Sequence, residues 1–231
     1  MNRQAMQSYD SRSEASAALA VEVAERLEAG IAARGRAALA VAGGSSPVEL
    51  FERLSETALD WSSVSVVATD ERWVASTDEQ SNEGLFRRRL IRDQAAAANL
   101  VSLYQAGRTP TGSLSVVTRR LAEMPSTFDA VVLGMGTDGH TASLFPDATN
   151  IDAMLASPAD CVVPVFDDDR IERISLGPTR LLATRALYLL FFGDDKRAVY
   201  ERALDDGPSA ELPVRAVLHQ MRVAATAYWA P

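Results

Sequence analysis

Short, uninterrupted apolar segments that alternate with amphipathic ones restrict the fold of this chain more than any other feature of its sequence. A strand whose successive residues are all apolar is buried on both faces, which is typical of a parallel sheet covered by helices. We therefore predict an α/β fold with a mostly parallel central sheet. The predicted strands are residues 37–42, 64–69, 130–133, 173–176, 187–192 and 223–228.

An amphipathic helix is predicted before the first of these strands. Leu19, Val23, Leu27 and Ile31 recur every fourth residue, and the pattern ends near Gly35. Further helices are predicted at residues 84–92, 113–123 and 194–204.

The segment after the first strand indicates another helix start. Ser46 is predicted as its N-cap, Pro47 as its first residue and Glu49 as the partner in a capping box. Residues 147–164 show the least regular pattern and are predicted to be a loop-rich insertion. No stretch is long enough to act as a linker, so residues 1–231 are predicted to form a single domain.

The composition restricts the classes of partner that this protein is expected to bind. A net charge of −8 and a pI near 4.9 argue against nucleic acid, which needs a basic face. No apolar run reaches membrane-spanning length, and the first ten residues lack the apolar core of a signal peptide. Cys161 is the only cysteine and cannot form an internal disulfide, which favours a cytoplasmic protein. We therefore expect neither a nucleic-acid nor a membrane partner, while the oligomeric state stays open.

Polar clusters follow several of the predicted strands. In a doubly wound sheet, ligands gather at the carboxyl ends of the strands, so we expect these clusters to converge. They are residues 43–46, 70–72, 138–140 and 193–196.

The first and last clusters have the chemistry of a phosphate site. Gly43 and Gly44 let backbone N–H groups approach an anion, and Ser45 and Ser46 add hydroxyl donors before a helix N-terminus. The alternative is that these serines only cap the helix. No Lys-Ser or Lys-Thr pair follows the glycines, so the segment is not a nucleotide P-loop. Lys196 is either a solvated helix-start residue or a cation for the same phosphate.

The third cluster places a histidine beside a carboxylate in glycine-punctuated backbone. A neutral imidazole at His140 can take a proton from water near neutral pH, since the reference pKa of histidine is about 6.5. A merely structural histidine is the alternative.

Residues 134–139 also spell the dinucleotide pattern Gly-x-Gly-x-x-Gly, but Asp138 would repel a pyrophosphate and Pro146 limits any following helix.

The second cluster, Asp70-Glu71-Arg72, is either a surface ion pair or a source of fixed positive charge near developing negative charge. No metal site is expected, because the two histidines are far apart and Asp167-Asp168-Asp169 reads as a solvated turn. His219 is expected to be structural.

Together these segments resemble the 6-phosphogluconolactonases of the glucosamine-6-phosphate isomerase/deaminase-like superfamily. The most specific match is Gly-Thr-Asp-Gly-His-Thr-Ala-Ser-Leu-Phe-Pro at residues 136–146. The resemblance implies a modified Rossmann-like three-layer α/β/α sandwich. The matching segments are residues 43–47, 69–74, 81–82, 133–146, 173–176 and 193–196.

The resemblance also implies a reaction and roles. The expected reaction is hydrolysis of 6-phospho-D-glucono-1,5-lactone to 6-phosphogluconate in the oxidative pentose phosphate pathway, without metal or organic cofactor. His140 would be the base, Asp138 would orient it, and Arg72 would stabilise charge at the lactone carbonyl. The resemblance implies phosphosugar binding by Gly43, Gly44, Ser45, Ser46 and Lys196, with Asp70 as a further site carboxylate whose role it leaves open.

Two alternatives remain. The amino-sugar phosphate deaminases of this superfamily carry Asn-Glu-Pro where this chain has Leu144-Phe145-Pro146, and Phe145 cannot relay a proton as their glutamate does. They also usually have an aromatic residue at the position of Arg72. Ala75 departs from the lactonase pattern, which usually has proline there. A non-catalytic sugar-phosphate sensor is the other alternative, and it would need a basic DNA-binding module that the first forty residues do not suggest.

Overall fold

The computed structural model describes residues 5–231. Its strands are β1 (Ala5–Ser8), β2 (Ala37–Val41), β3 (Val64–Ala68), β4 (Asp70–Arg72), β5 (Asn99–Val101), β6 (Ala130–Leu133), β7 (Cys161–Val162), β8 (Arg173–Leu176), β9 (Leu187–Phe192) and β10 (Ala225–Ala230). Its helices are α1 (Arg12–Arg34), α2 (Val48–Ser55), α3 (Asn82–Arg89), α4 (Pro110–Ala122), α5 (Ile151–Leu155), α6 (Pro178–Leu181), α7 (Asp194–Leu204) and α8 (Arg215–Leu218).

A seven-stranded sheet forms the centre of the molecule, in the order β1-β10-β9-β6-β2-β3-β5, and every pairing in it is parallel. Every residue of β2 and of β6 is buried. Because successive side chains of a strand point to opposite faces, the sheet is covered on both sides. The predicted α/β fold with a mostly parallel sheet is therefore confirmed.

The order of the strands creates a crevice at one point of the sheet. From β2 the chain adds β3 and β5 on one side, and it then returns to place β6, β9 and β10 on the other. The segments that leave the carboxyl ends of β2 and β6 therefore depart in opposite directions. Such a topological switch point is where open α/β sheets bind ligands.

A second, smaller sheet was not predicted. Strands β4, β8 and β7 pair antiparallel in that order, and Arg72 lies opposite Arg173. The segment 173–176 was correctly predicted as a strand, but it belongs to this sheet and not to the central one. Pairing with β8 holds residues 70–72 against the carboxyl end of the central sheet, directly after β3.

Several helix starts and strand ends differ from the predictions. Helix α1 ends beside Gly35 as predicted, whereas α3 begins at Asn82, capped by Ser81, and α4 begins at Pro110. In α3 and in α4 the capping residue is a serine or a threonine that lies before the predicted start of the helix. The last strand lies at Ala225–Ala230, two residues later than predicted.

The predicted capping box at α2 is wrong. Helix α2 begins at Val48 with Pro47 at the cap position and no side-chain cap. The Glu49 carboxylate instead accepts hydrogen bonds from Ser13, on α1, and from Arg53. Helix α2 therefore begins one residue later than predicted, and the hydroxyl of Ser46 does not cap it.

The predicted insertion at residues 147–164 contains helix α5 and strand β7. It packs a small separate apolar cluster next to the main core, made of Leu144, Ala148, Ile151, Met154 and Val162.

Within the part of the chain that the structure describes, no helix combines the length and apolarity needed to span a bilayer.

Candidate active site

A cavity of about 310 Å³ opens at the switch point of the central sheet. It is lined by residues that follow β2, β3, β6 and β9, so all four polar clusters of the sequence border or support one space. The predicted site residues on its surface are Gly43, Gly44, Ser45, Ser46, Asp70, Arg72, His140 and Lys196. Asp138 does not line the cavity itself, but it contacts His140.

Residues 43–46, here called the glycine–serine turn, lead from β2 into α2. Gly44 has a φ of +86°, a left-handed conformation that glycine adopts without strain. Within residues 5–231, the hydroxyls of Ser45 and Ser46 have no hydrogen-bond partner, and Ser46 does not cap α2. The turn therefore presents donors that are not committed to the protein, which is what an anion site at a helix N-terminus requires.

Residues 134–140, here called the histidine loop, lead out of β6. The Nδ1 atom of His140 lies 2.6 Å from Oδ1 of Asp138, and the same oxygen accepts the backbone N–H of His140 at 3.1 Å. An ionised carboxylate can only accept, so Nδ1 carries the hydrogen and Nε2 of a neutral ring is left as the basic atom. This arrangement gives His140 the tautomer that a general base requires.

The electrostatics of the pair agree with this geometry. Burial raises the pKa of Asp138, but the hydrogen bond and positive charge of His140 lower it by more, and the net pKa lies below its usual value. The lowered pKa favours the ionised form of Asp138, which is the form that accepts the hydrogen bond from Nδ1 of His140. The residues that follow the loop form turns, and the next helix begins only at Ile151, so this part of the chain lacks the long helix of a dinucleotide site.

Close side-chain contacts make glycine necessary at position 136 of this loop. A Cβ atom at Gly136 would lie 2.2 Å from Nδ1 of His140 and 2.4 Å from Oδ1 of Asp138. Any larger residue would push the imidazole and the carboxylate away from each other. The hydrogen bond from Gly136 N to His140 O, at 3.0 Å, closes the loop on itself.

Asp70 and Arg72 form the wall contributed by β4. Asp70 is buried, accepts the Ser143 hydroxyl at 2.5 Å and lies 3.6 Å from Arg173. Nη1 of Arg72 donates to the carbonyl of Gln80 at 2.7 Å and to Oδ1 of Asn82 at 3.2 Å. Within the described residues Arg72 has no carboxylate partner, so its charge is not cancelled by an ion pair.

Lys196 occupies the first turn of α7 and lines the cavity. Burial lowers the pKa of this ammonium, the nearby positive charge of Arg12 lowers it further, and Asp138 opposes both. No carboxylate pairs with Lys196 within 4 Å in residues 5–231. A partly buried cation without a partner is suited to bind an anion.

Three further residues with polar or aromatic side chains line the cavity and were not predicted as site residues: Asn82, Phe145 and Arg173. The ring of Phe145 lies against His140, with 4.2 Å between centroids, and the guanidinium of Arg173 lies over the Phe145 ring at 5.2 Å. All three residues fall in segments that carry the family resemblance, and this was the only signal in the sequence that could have identified them.

His219 and Cys161 do not line the cavity. Nε2 of His219 contacts the carbonyl of Ala203 at 2.8 Å, far along α7. Cys161 is buried, and its burial raises the pKa of the thiol to about 12. In the described chain, no group of three or more His, Cys, Asp or Glu residues could hold a metal ion.

The arrangement combines two chemical capacities in one cavity. The glycine–serine turn and Lys196 can hold an anionic group, while His140, oriented by Asp138, can remove a proton. Arg72 supplies a fixed positive charge near the same space. Such a site can activate water against an electrophilic carbon of an anionic substrate.

Comparisons with known proteins agree with this geometry. The family model of glucosamine-6-phosphate isomerases/6-phosphogluconolactonase matches residues 10–229. A 6-phosphogluconolactonase from Rhizobium meliloti is 39% identical over 228 residues, covering 98% of each chain, and one from Pseudomonas aeruginosa is 39% identical over 98% of this chain and 94% of its own. A solved 6-phosphogluconolactonase from Shewanella baltica superposes with a TM-score of 0.95 at 36% identity, covering 99% of this chain and 98% of that one. The chain therefore belongs to the family of glucosamine-6-phosphate isomerases and 6-phosphogluconolactonases.

Proposed function

We propose that this protein is a 6-phosphogluconolactonase, which hydrolyses 6-phospho-D-glucono-1,5-lactone to 6-phosphogluconate in the oxidative pentose phosphate pathway. The observation that carries the proposal is the position of one imidazole. His140, held by Asp138 at 2.6 Å, faces the same cavity as the glycine–serine turn and Lys196. The two relatives and the solved structure described above are named 6-phosphogluconolactonases.

In the proposed mechanism, His140 removes a proton from water as the water oxygen bonds to the lactone carbonyl carbon. The carbonyl oxygen becomes negative, and Arg72 stabilises that charge. Asp138 stabilises the imidazolium through its bond to Nδ1. The bond between the carbonyl carbon and the ring oxygen then breaks, and the ring oxygen takes the proton back from His140. A lactone is an activated ester, so orientation and a general base can supply the rate enhancement.

Substrate binding is assigned to the remaining residues of the cavity. The phosphate is held by the glycine–serine turn and by Lys196, whose hydroxyls and ammonium have no protein partner within the described chain. Asp70 belongs to the same substrate-binding set, because it lines the cavity beside Arg72. A phosphosugar lactone partner, a cytoplasmic location and a single domain are parts of this proposal.

One contact argues against the deaminase reaction of the same family. Phe145 packs against His140, with ring centroids 4.2 Å apart, at the position where the deaminases carry their proton-relaying glutamate. A phenyl ring cannot donate or accept a proton. The site therefore favours a reaction that needs one base only.

The test compares both substrates on the wild-type protein and on His140→Ala. Freshly prepared 6-phosphogluconolactone is followed through 6-phosphogluconate dehydrogenase, after subtraction of spontaneous hydrolysis, and glucosamine 6-phosphate is followed by ammonia release. We expect turnover of the lactone alone and a loss in kcat of about 10²- to 10⁴-fold in His140→Ala. Binding of 6-phosphogluconate by the variant is the control for an intact site. Deamination by the wild type, or undiminished turnover in the variant, contradicts the proposal.

A further inference from the structure

Asn82 occupies a central place in the cavity that the proposed mechanism does not use. It is the first residue of α3, its side chain is buried, and it lines the cavity between the glycine–serine turn and Arg72. A buried amide at a cavity wall has to satisfy its own donors and acceptor, so its contacts show what it holds in place.

The hydrogen bonds of Asn82 fix the orientation of its amide. Nδ2 donates to the carbonyl of Asp70 at 2.7 Å, and only nitrogen can fill that position because a carbonyl accepts. Oδ1 must therefore be the atom that faces Arg72, and it accepts from Nη1 of that residue at 3.2 Å. The amide thus connects the backbone of β4 with the guanidinium at the end of the same strand.

A buried carboxylate fixes the backbone on which this contact depends. Oε1 of Glu71 accepts the N–H of Arg72 at 2.8 Å and the N–H of Asn82 at 2.7 Å. One oxygen atom therefore sets the spacing between the two residues. The Arg72–Asn82 contact depends on this rigid joint between β4 and α3.

The glycine–serine turn leaves room for the same amide. A Cβ atom at Gly43 would lie 1.9 Å from Oδ1 of Asn82, and its three nearest neighbours would all be Asn82 atoms. The side chain of Asn82 therefore lies directly against the turn. Glycine is required at position 43 because Asn82 occupies the space that a Cβ would need.

We propose that Asn82 is a positioning residue, which holds the guanidinium of Arg72 towards the reacting carbonyl. This inference rests on the proposed lactonase function. Within residues 5–231 the acceptors of the Arg72 guanidinium are the neutral oxygens of Asn82 and Gln80. A neutral acceptor orients the cation without cancelling its charge, whereas a carboxylate in that place would form an ion pair and weaken the field at the substrate.

A double-mutant cycle between Asn82 and Arg72 tests the inference. We expect Asn82→Ala to lower kcat about tenfold with KM within about threefold, since displacement of a charged group by about 1 Å is costly. In a protein that already carries Arg72→Ala, Asn82→Ala should change kcat by less than about twofold, because Asn82 affects the reaction only by positioning the arginine. Full additivity of the two losses, or a rise in KM without a loss in kcat, overturns the inference.

Ser81→Ala is the matched structural control. Ser81 caps the same helix by accepting the N–H of Gly84 and donates to Glu71, but it makes no hydrogen bond to the Arg72 side chain. We expect Ser81→Ala to lower the Tm at least as much as Asn82→Ala does, with kcat within about threefold of the wild type. If kcat falls in proportion to the Tm in both variants, the role of Asn82 is merely structural and the inference is overturned.

A crystal structure of Asn82→Ala separates this inference from the proposed function. The Arg72 guanidinium should move away from its position beside the Gln80 carbonyl. If the wild type proves inactive on the lactone and Arg72 still moves, the proposed function fails and the positioning role stands. An unmoved Arg72 overturns the positioning role, whatever the activity.

Discussion

The glycine–serine turn and the histidine loop line the same cavity, but their polar groups are arranged differently. In the turn, the hydroxyls of Ser45 and Ser46 have no protein partner within the described residues. In the loop, the polar atoms that surround His140 bond one another at 2.6–3.1 Å. The groups that we assign to substrate binding are left free for a ligand, whereas the group that we assign to catalysis is held in place beforehand.

The difference extends to the glycines. Gly44 is needed for its backbone conformation, because its φ is +86° although a Cβ atom there would meet open space. Gly136 is needed for space, because His140 and Asp138 occupy the place of its Cβ. Conformational freedom shapes the binding turn, and close packing shapes the catalytic loop.

The largest effect that separates the two regions is expected from Gly136→Ala. The added Cβ would collide with Nδ1 of His140 at 2.2 Å, so we expect a loss in kcat of about 10- to 100-fold while KM changes little. Gly134→Ala is the matched control, because its Cβ would meet only Ala42 at an ordinary 3.8 Å. Steady-state kinetics of both variants checks this. Equal losses in the two would contradict the view that packing at Gly136 orients the imidazole.

A smaller effect, and one on binding, is expected from Lys196→Ala. Loss of a charge-assisted contact to phosphate should raise KM about tenfold and leave kcat nearly unchanged, because the contact exists in the ground and transition states alike. Steady-state kinetics on the lactone measures both constants. A change confined to kcat would place Lys196 on the catalytic side of the comparison.

The lowered pKa of Lys196 adds a pH dependence to the same prediction. Its ammonium loses its proton at a lower pH than a free lysine does, so affinity for 6-phosphogluconate should decline as alkaline pH approaches that lowered value. Lys196→Arg should bind without this alkaline decline, because a guanidinium stays charged. Product binding measured by calorimetry against pH gives the result, and identical alkaline profiles for the two proteins would refute the assignment.

The smallest expected effect is a change in the free energy of unfolding, in variants of Ser46 and Ser11. Ser46→Ala should leave the free energy of unfolding unchanged, because its hydroxyl does not cap α2. Ser11→Ala should cost about 1 kcal/mol, since Ser11 accepts the N–H of Glu14 at the start of α1. Denaturant unfolding of both variants decides this, and an equal loss in the two would mean that Ser46 supports the helix after all.

The prediction from the sequence was most accurate where burial alone decides structure. Segments 130–133, 173–176 and 187–192 form strands at the predicted residues. The short strands at the edges, β1 and β5, escaped prediction because their residues are partly exposed and lack a continuous apolar pattern. An apolar run shows that a segment is buried, but it does not show which strand it pairs with, and segment 173–176 was therefore assigned to the wrong sheet.

The failed capping box has a similar cause. The spacing of Ser46 and Glu49 fits the motif, but Ser13 and Arg53 bind the Glu49 carboxylate. Ser13 comes from α1, a distant part of the chain. A local motif competes with tertiary partners, and the sequence does not reveal that competition.

By itself, the sequence determined the parallel α/β sheet and the chemistry available after its strands, because burial pattern and residue type are local properties. Only the tertiary structure decided which of these groups share a cavity. The contact of Arg173 with Asp70 depends on the pairing of β4 with β8, and the cavity shared by the glycine–serine turn, His140 and Lys196 depends on the order of strands in the central sheet. That order depends on pairings between strands far apart along the chain, and such pairings leave no signal in any single segment.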